Sequence, residues 1–276
     1  MDNMGCGLFF IIFLFTILNS LINLNSNVNV KLLPLKSCIL YTINQMYTME
    51  KEYILIDGYK HLKYSHDKYT EDEMLQRSSS FLELMRKRKS LRYFSDKAIP
   101  KEIIDNVIKT AATAPSGANK QPWTFCVVSN PEIKKEIRIA AEAEEKKSYD
   151  NRMSERWLDD LKPLGTDWQK SFLETAPYLI IIFKKNYDLD ENDERIHTYY
   201  VNESVGLACG FLISAIHNAG LVTLTHTPTP MKFLSRILNR PKNEVPFLLL
   251  PVGYQADEAY VPDITKKAYE DVTVHY

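Results

Sequence analysis

The stretch TAPSGANKQPWTF, residues 113–125, ends one kind of structure and begins another. Before it, Ile103, Ile104, Val107, Ile108, Ala111 and Ala112 recur at helical spacing behind Pro100, which suits a first helical turn. Pro115 stops that helix, Gly117 frees the backbone, and Pro122 with Trp123 restarts an extended segment, WTFCVV. The side chains of Pro115, Ser116, Gly117 and Ala118 are small enough for a flat ring to approach the backbone. A helix C-cap explains the same residues, so the stretch by itself leaves two readings open.

Working outward, Thr70 and Glu73 form a capping box ahead of Met74, Ser78, Phe81, Leu82 and Met85 on one helical face. That helix runs into a basic segment, RKRKSLR. Downstream, Asn130 and Pro131 cap a helix through AEAEEKK, in which Glu142 and Lys146 form an i,i+4 pair. PYLIIIF reads as a buried strand, Glu203 to Ala219 as a long helix stopped by Gly220, LVTLT as a strand, Phe233 to Leu238 as a short helix and FLLLPVG as a strand. Residues 150–170 show no clean period. Helices and strands mix without regular βαβ alternation, which makes the class α+β.

The amino end differs in kind. GLFFIIFLFTILNSLINL carries no charge and is about long enough to cross a bilayer core. MDNMGCG lacks the positive leader of a signal peptide, so residues 1–24 are expected to be an uncleaved, single-pass membrane anchor. Lys31 and Lys36 follow the span, which by the positive-inside rule is expected to place the body of the protein in the cytosol. Met46 and Met49 offer alternative starts that would omit this end. Residues 25–69 are Asn-rich, then Tyr-rich and polar, and are expected to be a tether; 70–276 are expected to form the globular domain.

Lys plus Arg number 34 and Asp plus Glu 35, which excludes a broad cationic surface and hence nucleic acid as a partner. Cys6, Cys38, Cys126 and Cys209 have no metal or redox spacing, and the histidines suggest no metal site. There is no GxGxxG after a strand, GxxxxGK[ST], HExxH or GxSxG. Gly206 and Gly210 make a GxxxG read here as close helix packing in the core, and the sequon Asn202–Ser204 opens the same helix and is expected to be unused. The run Arg88, Lys89, Ser90, Leu91, Arg92 can hold a phosphate dianion through guanidinium forks and a hydroxyl; a basic helix end answers its own dipole equally well.

RKSLRYF, IDNVIKTAATAPSGANKQPWTF, NAGLVTLTHTP, PFLLLPVGY and VPDITKK resemble, in order, the nitroreductase superfamily and within it the iodotyrosine deiodinases. The resemblance spans roughly residues 80–276. It implies a nitroreductase-like fold with a central mixed or antiparallel sheet flanked by helices, an intertwined homodimer, and an FMN at each subunit interface. Arg88, Lys89, Ser90 and Arg92 would bind the phosphate, ribityl chain and pyrimidine edge. Pro115, Ser116 and Gly117 would line the ring, and Lys266 would reach the phosphate where relatives usually offer Arg. Lys89 likewise stands where relatives often have Arg.

By the same resemblance, the Thr225 hydroxyl would contact flavin N5 and favour single-electron transfer. Relatives often carry three Thr there, whereas this chain reads Thr225, His226, Thr227. Glu145 would take the ammonium of a halotyrosine, Tyr149 and Lys170 its carboxylate, and the Ala118 N–H its phenolate. Reductive dehalogenation of mono- and diiodotyrosine follows, with NADPH electrons delivered directly or through a separate reductase. Two other functions compete: a broader FMN nitroreductase or quinone reductase, and a membrane-tethered flavoprotein that regulates a membrane partner.

Overall fold

The computed structural model describes residues 52–276. The expected anchor, the first part of the tether, Cys6 and Cys38 lie outside the described residues. No helix among the described residues is long and apolar enough to cross a membrane. The chain divides into two compact units at Tyr69 and Thr70.

Within the first unit, β1 (Tyr53–Ile56) and β2 (Tyr59–Leu62) pair antiparallel, from Tyr53 opposite Leu62 to Ile56 opposite Tyr59. Asp57 and Gly58 both have positive φ, 49° and 81°, the geometry a two-residue hairpin turn requires. A hairpin therefore occupies part of the stretch expected to be a tether.

The second unit is built on an antiparallel sheet in the order β3 (Trp123–Val128), β4 (Tyr178–Lys185), β8 (Glu244–Gly253), β7 (Val222–Thr223). Strand β4 is buried on both faces, which is why its sequence is a continuous apolar run rather than an alternating one. Ile180 and Ile182 enter one core layer with α2 (Lys101–Ala112) and α6 (Val201–Asn218), against Ile104, Val107, Ala208, Leu212 and Ile216. Leu179, Ile181 and Phe183 enter the other, against Ile137 of α3 (Pro131–Lys147), Leu173 of α5 (Phe172–Thr175) and Leu234 of α7 (Lys232–Ile237). A small hairpin of β5 (Tyr187–Leu189) and β6 (Arg195–His197) lies between β4 and α6 in the chain.

The helix starts follow their caps. Thr70 and Glu73 satisfy one another's backbone donors ahead of α1 (Glu71–Lys87), and the Asn130 Oδ1 accepts from the Glu132 and Ile133 N–H groups ahead of α3. Four expectations shift. LVTLT yields a strand of two residues, extended only by an isolated bridge between His226 and Leu249. Glu142 pairs with Arg138 at 2.8 Å rather than with Lys146, whose ammonium lies 5.2 Å from the centre of the Trp168 ring. A Cβ on Gly206 or Gly210 would meet nothing within 4 Å, so this glycine face of α6 is open, not packed against a helix of its own chain. No residue of α1 is buried, and Met74, Leu75, Phe81 and Leu82 face outward.

Cys126 and Cys209 are free thiols; burial pushes Cys209 up to about 12 and also raises Cys126, so both stay protonated and inert.

Candidate active site

Helix α1 ends at Lys87, and Arg88 already has extended geometry, φ −65° and ψ 124°. Only Arg86 and Lys87 therefore serve the helix dipole, and the rest of the basic run is free for another task. Ser90 forms a parallel one-residue bridge with Thr223, and the Leu91 N–H donates to the Thr223 carbonyl at 3.2 Å. This bridge pins the run beside the end of β7. There, Arg88, Lys89, Ser90, Arg92, Thr225 and Lys266 line one cavity of about 560 Å³. Leu82, Met85, Leu164 and Leu224 add apolar wall, and no carboxylate among the described residues lines the cavity. The volume falls within the range of about 300–1,000 Å³ usual for small-molecule sites. Cations, two hydroxyls and an apolar wall suit an anionic head on a flat body, which fits FMN.

A second cavity of about 370 Å³ shares Arg92 and Leu164 with the first and is lined by Thr166 and Asp167. Beside those residues stands Lys170, only 3% exposed. Its Nζ donates to the Asp167 carbonyl and, at 3.3 Å, to the Thr166 hydroxyl; it lies 3.7 Å from Glu145 Oε2 and 5.8 Å from the centre of the Tyr149 ring. The Lys170 N–H donates to Glu142 Oε1 at 2.7 Å. Tyr149 sits in a single π-helical turn, Ser148–Arg152, that interrupts the end of α3, and its O–H donates to the Thr166 carbonyl at 3.2 Å. Such turns recur at functional sites.

Burial dominates the ionisation of this cluster. It raises the Glu145 carboxyl, with Lys170 pulling it down less strongly, and it lowers the Lys170 ammonium, with Glu145 and Asp167 opposing. Burial also raises Tyr149. Each charge is thus held with less stabilisation than water would provide, so a ligand with complementary charges gains from both.

The loop at residues 115–118 is not among the linings of either cavity. It is tied to the start of α6, where the Gly117 N–H donates to Ser204 Oγ at 3.2 Å. A Cβ on Gly117 would stand 2.8 Å from the Tyr199 carbonyl and 2.9 Å from the Tyr200 ring, so the missing side chain admits the chain's own Tyr199–Tyr200 turn. Ala118, Asn119 and Gln121 all adopt positive φ, near 50°, a cost that clusters at binding sites. Among the described residues the Ala118 N–H has no acceptor, while the neighbouring Gly117, Asn119 and Lys120 N–H groups all have one.

Alternation along the chain exposes Thr225 and Thr227 and buries His226 between them. Thr225 lines the larger cavity; His226 and Thr227 do not. Sequence reasoning missed Glu142, Thr166 and Asp167. Asp167 acts on Lys170 through its backbone carbonyl, which leaves no residue-type signal, Thr166 and Asp167 lie in a segment that offered no period to place them, and the Glu142 carboxylate, read as half of a surface pair, accepts instead from the Lys170 N–H.

Residues 85–254 match the Nitroreductase family. The iodotyrosine deiodinase of Haliscomenobacter hydrossis is 56% identical over 215 residues, covering 78% of this chain and 97% of that protein. Iodotyrosine deiodinase 1 of Homo sapiens is 47% identical over 219 residues, covering 79% of this chain and 76% of that protein. A crystal structure of oxidized iodotyrosine deiodinase bound to FMN and 3-iodo-L-tyrosine superposes with a TM-score of 0.60 at 33% identity, covering 71% of this chain and 98% of that one. The chain belongs to the nitroreductase family and, within it, to the iodotyrosine deiodinases.

Proposed function

We propose that this chain performs FMN-dependent reductive dehalogenation, converting mono- and diiodotyrosine to tyrosine and iodide. The observation that carries the reading is the buried Glu145 and Lys170 pair beside a cavity walled by Arg88, Lys89, Ser90, Arg92, Thr225 and Lys266. One member answers an ammonium, the other a carboxylate, and the cavity answers a phosphate; an amino acid lying over FMN meets all three.

Arg88, Lys89, Ser90, Arg92 and Lys266 hold the cofactor's anionic and polar edges, and Pro115, Ser116 and Gly117 support its ring. FMN, when bound, supplies two electrons in single steps. Thr225, which lines the cavity, offers a hydroxyl donor at the reacting end, whereas the buried His226 between Thr225 and Thr227 stays outside the lining. The Ala118 N–H, without an acceptor in the described chain, stabilises the phenolate of the halotyrosine. Glu145, Tyr149 and Lys170 clamp its zwitterion and fix the ring in place. The carbon–iodine bond breaks, iodide leaves with the bonding pair, and two electrons with one proton make the new carbon–hydrogen bond. Closure of this lid excludes water and oxygen.

The working unit is a homodimer. Its support is the apolar groove formed by Phe81, Ile103, Gly206, Leu207, Gly210 and Phe211, with the open glycine face as its floor. A second copy covers that face and brings its own loop at residues 115–118 toward the basic cavity, which explains why one chain does not join the two. Residues 1–24 form the membrane anchor and 25–69 the tether, carrying the domain 70–276 on the cytosolic side. The uncharged run from Gly7 to Leu24 supports the anchor, and the division at Tyr69 supports the boundary. Electrons originate in NADPH, delivered directly or by a separate reductase.

Flavin fluorescence tests the reading. Addition of 3-iodotyrosine to the FMN-loaded chain quenches it saturably, and Glu145→Gln weakens that response while FMN stays bound. A chain that holds FMN and responds equally to 3-iodotyrosine and to simple nitroaromatics is a general nitroreductase instead.

A further inference from the structure

The Nε2 of His226 is the one buried side-chain nitrogen or oxygen among the described residues that lacks a hydrogen-bond partner. The residue is 6% exposed and firmly held. Its N–H donates to the Leu249 carbonyl at 2.9 Å, and its carbonyl accepts from the Leu249 N–H at 3.0 Å. The imidazole packs edge-on against Phe172, with ring centres 5.9 Å apart. Phe172 opens α5 two residues after Lys170, so the ring props the segment that delivers the lid ammonium.

The charged groups that act on the imidazole are Lys170 and Arg92, both cations. Burial first, and these two cations after it, depress its basicity, down to about 3, and keep it neutral. A neutral ring among cations directs a lone pair toward them, because an N–H there would meet like charge. Lys170 has a matching need. Its Nζ is bonded to the Asp167 carbonyl and the Thr166 hydroxyl, but Glu145 stands at 3.7 Å, an ion pair beyond hydrogen-bond length. A zwitterion changes this balance, because its ammonium claims Glu145. A carboxylate in the place of His226 would then cancel the charge the substrate's carboxylate needs; a neutral imidazole takes a proton's direction and leaves the charge intact.

We propose that His226 is a positioning residue for the carboxylate end of the site, its Nε2 accepting a hydrogen bond from the Lys170 ammonium when a bound zwitterion engages Glu145. The inference rests on the halotyrosine reading above and deepens it: recognition of an amino acid, as distinct from a bare halophenol, depends on a buried residue that touches neither substrate nor flavin.

The test uses the FMN-loaded full chain, the variants His226→Leu and His226→Gln, and two ligands, 3-iodotyrosine and 2-iodophenol. Binding is read from flavin fluorescence, with FMN affinity and the thermal midpoint measured alongside. His226→Leu raises the Kd for 3-iodotyrosine about 10- to 100-fold, the span of one hydrogen bond to a charged group, while the Kd values for FMN and 2-iodophenol stay within about twofold. His226→Gln, which keeps an acceptor, recovers most of the loss. Unchanged 3-iodotyrosine affinity in the Leu variant overturns the proposal, as does an equal loss of FMN or of 2-iodophenol. Failure of the Gln variant to recover binding also overturns it and makes the residue a space filler. A wild-type chain that binds FMN but not 3-iodotyrosine sinks the underlying halotyrosine reading, a result distinct from any of these.

Discussion

Lys170 illustrates how one residue carries both a cost and a use. Its side chain is buried, its ammonium is destabilised by that burial, and its carboxylate neighbour is too far for a full hydrogen bond. Such a charge stabilises the fold little and a ligand carboxylate greatly. Lys170→Gln is expected to weaken halotyrosine binding by about 30-fold or more, as loss of a buried charged partner does. FMN affinity changes far less; titration of both ligands on one preparation checks the difference, and equal losses would make Lys170 structural. Glu145 gives a pH prediction. Burial raises its free-site carboxyl above the ordinary glutamate range, and pairing with a substrate ammonium lowers it, so binding near that raised pKa releases a proton. Affinity therefore falls as pH drops through that raised value, earlier than an ordinary Glu would allow. Glu145→Gln removes this limb and leaves whatever limb the ligand's phenol contributes. Gly117→Ala tests a different residue-scale claim: a Cβ 2.8 Å from a backbone carbonyl cannot be relieved by a rotamer change, so the variant loses about 1–3 kcal/mol of stability. A melt of the FMN-free chain reads it, and an unchanged midpoint would mean the Tyr199 turn yields freely.

At the scale of elements, the sequence was most legible where a single physical rule acted. Strand β4 declared itself through a run buried on both faces, and α1 and α3 through their caps. It was least legible where an element's partner lay far along the chain. The Asp57–Gly58 turn is a strong hairpin signal between YILI and YKHL, yet the polar, Tyr-rich composition of residues 49–69 as a whole made it read as tether. LVTLT has the composition of a full strand, but past Thr223 its partners dwindle to the single His226–Leu249 bridge, and the chain turns toward the cavity. The basic run could not be told from a helix end until Arg88 proved to lie beyond the helix. Gly206 and Gly210 suggested packing within the core, whereas their face is open in one chain. That openness yields a prediction for α6. Gly210→Leu sets its Cβ where nothing in the subunit lies within 4 Å and adds helix propensity, by about 1 kcal/mol relative to glycine, so the chain is expected to stay folded while the homodimer dissociates. Sedimentation with circular dichroism separates the two effects. A variant that unfolds, or that remains dimeric, would contradict a dimer built on this face.

The proposed function joins three recognitions that no single motif announced: phosphate by the run after α1, ring by the loop after α2, and zwitterion by the end of α3 with Lys170. Residue types made the first two candidates visible, and only the resemblance to the iodotyrosine deiodinases pointed to the third; their convergence depends on the Ser90–Thr223 bridge, the π-turn at Tyr149 and, in the proposed dimer, the second copy's loop. The most direct measurement of the central claim is iodide release from diiodotyrosine by the FMN-loaded full chain, reduced with dithionite under anaerobic conditions. Iodide appearing in step with monoiodotyrosine and then tyrosine, and abolished by Glu145→Gln at low substrate, is the predicted result. A flavoprotein that is readily reoxidised by nitroaromatics yet frees no iodide would contradict the account.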